Sequence, residues 1–248
     1  MTSTPRISIN KLVEYALANG PRRTKIIEDI IKPKNYLVDT GYNDIERALG
    51  VRMSSGGADA KNLLDLDLHF QRREARTDHE ESRILNALDM IDRASTLDLS
   101  VFNNLRVERV TEKMPRLEVS GLIVNVNPSN IVTATQRGTK TRLVGIIKPY
   151  FSMTAPLTGK RANEKAALHG TLLHWYAEKF LSHLGECASA MCFSVDVFAH
   201  EITVAPKSFK ARRRHLEACA QEICDRWSAI SSRLAEDEKI PSYRRGLK

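Results

Sequence analysis

Lys148 ends an apolar run from Leu143 to Ile147, and the long helical pattern that follows carries Trp175 and Tyr176. A lysine that ends an apolar strand and faces such a helix is an unusual placement. His169, His174 and His183 fall on that same helical pattern, and His174 near Tyr176 has the residue types for acid–base work. No carboxylates are arranged beside them, so satisfied or exposed histidines are the expectation. A second cationic feature is Lys207, Lys210, Arg212, Arg213 and Arg214, gathered at the start of the last helical stretch. Cations at a helix N-terminus oppose the macrodipole, and a helix built only for stability would carry acids there. Amides and guanidiniums together would instead clamp a phosphate backbone. The competing reading is a solvated face, paired to the acidic region from Asp59 to Glu81.

The four cysteines, Cys187, Cys192, Cys219 and Cys224, have neither C-x-x-C spacing nor a histidine completing a zinc pattern. Free thiols are expected, with no metal and no cofactor. The chain has no Gly-rich phosphate loop, nucleophile elbow or zinc-protease motif.

The elements that must position these residues can be read from periodicity. Ser8 opens an amphipathic helix carrying Leu12, Tyr15, Ala16 and Leu17, closed by Asn19, Gly20 and Pro21. Arg22, Arg23 and Lys25 then lead a second helix, with Ile26, Ile27, Ile30 and Ile31, that Pro33 stops. Such a pair can read DNA as a helix-turn-helix, but an α-hairpin packed on the rest of the protein is the preferred expectation. Tyr42 to about Leu99 is helical, broken at Ser54 to Gly57 and by a polar patch from Arg72 to Ser82. Near residue 100 the pattern turns to strands: Leu105 to Val110, Leu117 to Val126, Ile131 to Thr135 and Leu143 to Ile147. A helix from Ala162 to Leu184, strands from Met191 to Phe198 and Ile202 to Val204, and a last helix from Ser208 to Leu234 complete the chain. Phe209, Leu216, Cys219, Ala220, Ile223, Trp227, Ile230 and Leu234 form the apolar stripe of that last helix. The predicted class is α+β, with a helical region over 1–100 and a mixed sheet flanked by helices over 101–248.

From Leu117 to Phe180, about a quarter of the chain, strand, turn, strand and long helix resemble the core of the PD-(D/E)XK nuclease superfamily. In that family a carboxylate after a Pro and another two residues before a Lys hold a divalent metal at a sheet edge. Here Pro128 matches the Pro and Lys148 the Lys. Ser129 stands where the family has Asp, and Ile146 where it has Glu or Asp. In the family's Q-x-x-x-Y helix, Tyr176 matches the Tyr while Leu172 replaces the Gln. The resemblance implies a restriction-endonuclease-like sheet that has lost both metal-binding carboxylates. A hydroxyl and a hydrocarbon cannot replace two anionic ligands of a hard dication. A displaced Glu118, Glu164, Asp196 or Glu201 would be needed to restore hydrolysis. Without nuclease ancestry the same segment is a sheet with a covering helix, and Lys148 an edge-strand lysine that blocks aggregation.

Charge narrows the choice. The 248 residues carry a net charge of +8, with 42% hydrophobic and 27% charged positions, which fits a folded protein. From Arg137 to Phe180 eight cations face two acids, and from Lys207 to Lys248 eleven face six. The remainder is therefore net acidic, and such segregation is what a polyanion-binding face needs. No apolar run has the length of a membrane helix and no signal peptide opens the chain, so a cytoplasmic protein is expected. The expectation drawn from these features is a protein that binds nucleic acid, DNA rather than RNA, or a partner in a nucleic-acid-processing complex, without cutting. By analogy with the superfamily, the setting is bacterial or phage genome maintenance or defence. A live nuclease with displaced acids and a protein-interaction module are the alternatives.

Overall fold

The computed structural model describes residues 4–33, 42–151 and 159–239. The protein is α+β, and its chain divides into two units, 1–37 with 116–125 and 210–248, and 38–115 with 126–209. No single boundary near residue 100 separates a helical region from a sheet region.

In the first unit Ser8 caps α1 (Ile9–Leu17), its hydroxyl accepting from the Lys11 amide at 3.3 Å. Asn19 likewise caps α2 (Gly20–Ile31), with Pro21 in the first turn, where its missing N–H costs nothing. Both helices pack on α7 (Lys210–Lys239), burying Leu12, Val13, Ile26 and Ile27 as well as Leu216, Ala220 and Ile223. The basic triplet of α2 is held by acids of this unit. Arg22 pairs with Glu14, Arg23 with Glu222 at 2.7 Å, and Lys25 with Glu28 and Asp29 at 3.4 and 3.3 Å. Arg233 of α7 pairs with Glu28. This is the packed α-hairpin, with its cations turned to intramolecular partners.

A three-stranded sheet of β1 (Arg6–Ser8), β4 (Leu122–Asn125) and β3 (Leu117–Val119) completes the unit, in the order β1-β4-β3. The expected single strand from Leu117 to Val126 is in fact a hairpin. Ser120 and Gly121, with φ of 47° and 80°, make the tight turn between β3 and β4. The first nine residues of the nuclease-like segment thus lie outside the main sheet.

That sheet, in the second unit, runs β2 (Arg106–Arg109), β5 (Asn130–Thr135), β6 (Arg142–Tyr150), β8 (Phe193–Asp196) and β9 (Glu201–Val204), with β7 (Glu186–Cys187) beside the start of β6. β5 is antiparallel to both β2 and β6, β6 is parallel to β8, and β9 is antiparallel to β8. The parallel pair needs a crossover, which α6 (Gly159–Phe180) supplies.

Side chains alternate across a strand, and the two faces have different covers. Val132, Ile147, Phe193 and Val195 join Ile45, Leu49 and Met53 of α3 (Tyr42–Ser54) and Ala87, Met90 and Ile91 of α5 (Asp78–Thr96) in one core. Leu63 of α4 (Lys61–Gln71) is buried in it, whereas Leu64 and Leu68 face solvent. The opposite face, with Ile146, Lys148, Tyr150, Ser194 and Asp196 in register, lies under α6. Gly170 lets α6 come down on the sheet, since a Cβ there would sit 2.6 Å from Ala205 Cα. Among the described residues no helix is long and apolar enough to cross a membrane.

Candidate functional site

Of the residues that carry the nuclease resemblance, Pro128, Ser129 and Lys148 come together toward the end of β6. Ser129, next to Pro128, is tied to that strand: its backbone N–H and its hydroxyl both donate to the Ile147 carbonyl, at 3.0 and 3.1 Å. Its oxygen therefore serves strand pairing. Ile146 is fully buried. β6 lies between β5 and β8, so Lys148 is not an edge-strand lysine. Its ammonium pairs with Glu46 of α3 at 2.5 Å, with side-chain exposures of 11% and 23%. Asn130 places that helix, its buried side-chain amide donating to the Gly50 carbonyl at 2.9 Å, one turn beyond Glu46.

A second ion pair stands beside the first. Tyr150 shares the face of Lys148, and Asp196 lies opposite Tyr150 in the neighbouring strand. Lys165 of α6 reaches Asp196 at 3.4 Å and sits 4.6 Å from the centre of the Tyr150 ring. Asp196 is also anchored through its other oxygen, which accepts from the Ala199 amide at 3.1 Å. His169, one turn after Lys165, stacks on Tyr150 with centroids 4.5 Å apart and rings 2° from parallel. Burial pushes its pKa down to about 3, helped by the charges of Lys165 and Lys148, so the imidazole is neutral. Buried His169 Nδ1 has no hydrogen-bond partner. Burial, and then the charges of Asp196 and Glu201, hold the Tyr150 hydroxyl well above the usual tyrosine range.

This cluster differs from the one the sequence suggests. Tyr176 is two helical turns past His169, about 10 Å along the axis, and its hydroxyl donates to the Pro115 carbonyl at 2.8 Å. Tyr176 is thus a buried structural residue and does not join Lys148. Of the four acids considered as replacements, Asp196 and Glu201 come to the Tyr150 face, Glu164 is on the first half of α6, and Glu118 is exposed on β3 of the other unit. Glu46, 102 residues before Lys148, has no local signal that would mark it.

The donors do not fit a divalent metal. Ile146 offers no ligand, the Ser129 hydroxyl is committed to a carbonyl, and the carboxylates of Glu46 and Asp196 each carry an ammonium group. Among the described residues no three His, Cys, Asp or Glu converge to hold a metal ion. The four cysteines are free thiols, and burial pushes Cys192 up to about 12.

His174 is a core histidine, 3.3 Å from the Cys187 carbonyl and packed on Phe209 at 4.6 Å, but against expectation a carboxylate does stand beside it, Glu178 one helical turn on at 3.6 Å. His183 is exposed and lies beyond α6, which ends at Phe180. The basic run divides between the units. Lys207 and Phe209 precede α7 in the second unit, while Lys210, Arg212, Arg213 and Arg214 open α7 in the first. Lys207, Lys210 and Arg214 are exposed; Arg212 and Arg213 are half-buried and engaged with neighbours. Arg244, Arg245 and Lys248 of the basic C-terminal segment lie outside the described residues. No family model matches the chain, and neither the curated proteins nor the solved structures contain a match.

Proposed function

We propose that the chain binds nucleic acid, DNA rather than RNA, through backbone phosphates, and that its main sheet is a degenerate PD-(D/E)XK nuclease core that does not cut. One observation carries this reading. At the end of β6, where hydrolysis would need two free carboxylates beside Lys148, there are a buried isoleucine, a serine bonded to the strand, and two acids each closed by a lysine. The strand–strand–helix order of β5, β6 and α6, with Pro128 and Lys148 brought to the same end, supports the ancestry. The cations that remain support the binding: Lys148 and Lys165 in the cluster, Lys160 and Arg161 at the start of α6, and Lys207, Lys210, Arg212, Arg213 and Arg214 near the start of α7. A place in bacterial or phage genome maintenance or defence, alone or beside a nucleic-acid-processing partner, belongs to the same proposal.

Binding to duplex and single-stranded DNA across a salt series tests it. Each phosphate neutralised on a duplex contributes about −0.9 to the slope of log K against log salt, so affinity should fall steeply. A flat response would favour a protein-interaction module. Incubation of plasmid with magnesium or manganese tests the non-catalytic half, and cutting that disappears in Lys148→Ala would overturn it.

A further inference from the structure

At the end of β6 two ammonium groups, those of Lys148 and Lys165, are each matched by one carboxylate. We propose that Lys148 and Lys165 form a metal-free subsite for one backbone phosphate, closed in the free protein by Glu46, whose carboxylate occupies the place of a phosphate oxygen. The proposal rests on the nucleic-acid-binding reading and deepens it by naming the atoms that engage the backbone and the group that competes with it.

Several observations point to Glu46 as the carboxylate that leaves. Asp196 is held twice, by Lys165 and by the Ala199 amide, on a strand bonded to both its neighbours. Glu46 comes from a helix, is the more exposed partner of its pair, and meets Lys148 across 102 residues of sequence. A carboxylate and a phosphodiester offer the same kind of anionic oxygen to an ammonium, so exchanging one for the other preserves the charge-assisted hydrogen bond. Exchange also leaves no buried cation unpaired, the outcome that would cost most. Lys148 and Tyr150 are two residues apart on one face of β6, and the Lys165 ammonium stands 4.6 Å from the centre of the Tyr150 ring, which brings both lysines to the same patch. The His169 ring is stacked on Tyr150, and its buried Nδ1 lacks a partner. Lys160 and Arg161 begin the same helix one turn before Lys165, extending the cationic surface along a strand of phosphates.

The test is fluorescence anisotropy of a labelled short DNA duplex, over a salt series, with wild-type protein, Glu46→Gln, Lys165→Gln and Lys165→Arg. Thermal melting confirms that each variant is folded, and Lys165→Gln with Asp196→Asn removes both charges of the second pair should the single change unfold the protein. Glu46→Gln should tighten binding about fivefold by removing the competitor. Lys165→Gln should weaken it about tenfold and reduce the salt slope by about one, and Lys165→Arg should restore both. If wild-type protein binds but Glu46→Gln and Lys165→Gln match it in affinity and slope, the subsite is excluded and binding through other cations stands. Absence of wild-type binding even at low salt removes the nucleic-acid reading and the subsite together.

Discussion

Glu46 of α3 and Lys148 of β6 form a 2.5 Å ion pair between a helix on one face of the sheet and a strand whose even-numbered side chains lie on the other. Neither side chain is more than a quarter exposed, so each depends on the other to offset its lost hydration. Replacing Glu46 by Ala should therefore cost about 2 kcal/mol of unfolding free energy, somewhat below the ~3–5 kcal/mol typical of a fully buried pair. The combination of Glu46→Gln with Lys148→Met, which removes both charges, should recover most of that loss. A double-mutant cycle in urea reads the coupling directly; strictly additive effects of the two changes would mean that the pair contributes nothing.

How much of this was legible beforehand depended on how local the signal was. The runs Ile131 to Thr135 and Leu143 to Ile147, with the Arg137–Gly138 turn between them, mark β5 and β6 to within a few residues. α6 ends about one helical turn before its expected end, at Phe180 instead of Leu184, because Ser182 and His183 already belong to the turn that leads into β7. The hairpin of β3 and β4 was hidden because Leu117 to Val126 is apolar on both sides of Ser120 and Gly121, so that the turn reads as one polar interruption of a long strand. β1 has three residues, too few for any periodicity, and it is this strand that draws β3 and β4 into a separate sheet. The site suffered most. Pro128, Ser129, Ile146 and Lys148 could be aligned by motif, but Glu46 and Lys165 enter only through packing of helices against the sheet. Spacing alone links Tyr176 to the motif, and the geometry of α6 carries it past the cluster.

Gly170 offers a sharper test of how α6 is seated. On an exposed helix surface, Gly→Ala stabilises by up to about 1 kcal/mol through helix propensity. Here the added methyl would lie 2.6 Å from Ala205 Cα and 3.0 Å from its Cβ, so backbone must move. Gly170→Ala should lower the urea midpoint by the equivalent of about 1–3 kcal/mol, the cost of overpacking. A midpoint at or above wild type would show that α6 does not approach β9 so closely.

His169 should make stability depend on pH. Its folded pKa, about 3, lies below the ordinary value of 6.5, so between those limits the unfolded chain binds the extra proton. The contribution of the neutral ring is complete above pH 6.5 and is lost as pH falls toward 3, on the order of 1 kcal/mol per pH unit. Lys165 and Lys148 act in the same direction, since a second positive charge beside them is disfavoured. His169→Phe keeps a ring on Tyr150 but cannot titrate. Urea unfolding at pH 7, 6, 5 and 4 should then show a shallower loss of stability for the variant, by up to one proton in the slope; parallel curves would place the imidazole in water.

The start of α7 separates binding from stability. Its first turn contains no acid, and Lys210 and Arg214 are exposed there, where their charges oppose the positive end of the helix dipole. If these residues were present for the helix alone, neutralising them would be without consequence for any ligand and mildly favourable for folding. Lys210→Gln with Arg214→Gln should leave the melting temperature unchanged or higher, yet weaken binding of a DNA duplex and reduce its salt slope by roughly two. Extending the change to Arg212→Ala, Arg213→Ala and Arg214→Ala together should weaken binding further, at some cost in stability because Arg212 and Arg213 are half-buried and engaged. Comparing the two sets distinguishes a clamp from a scaffold: loss of affinity in the exposed pair with folding intact assigns the cations to phosphate, whereas affinity retained in both sets removes the start of α7 from the binding face.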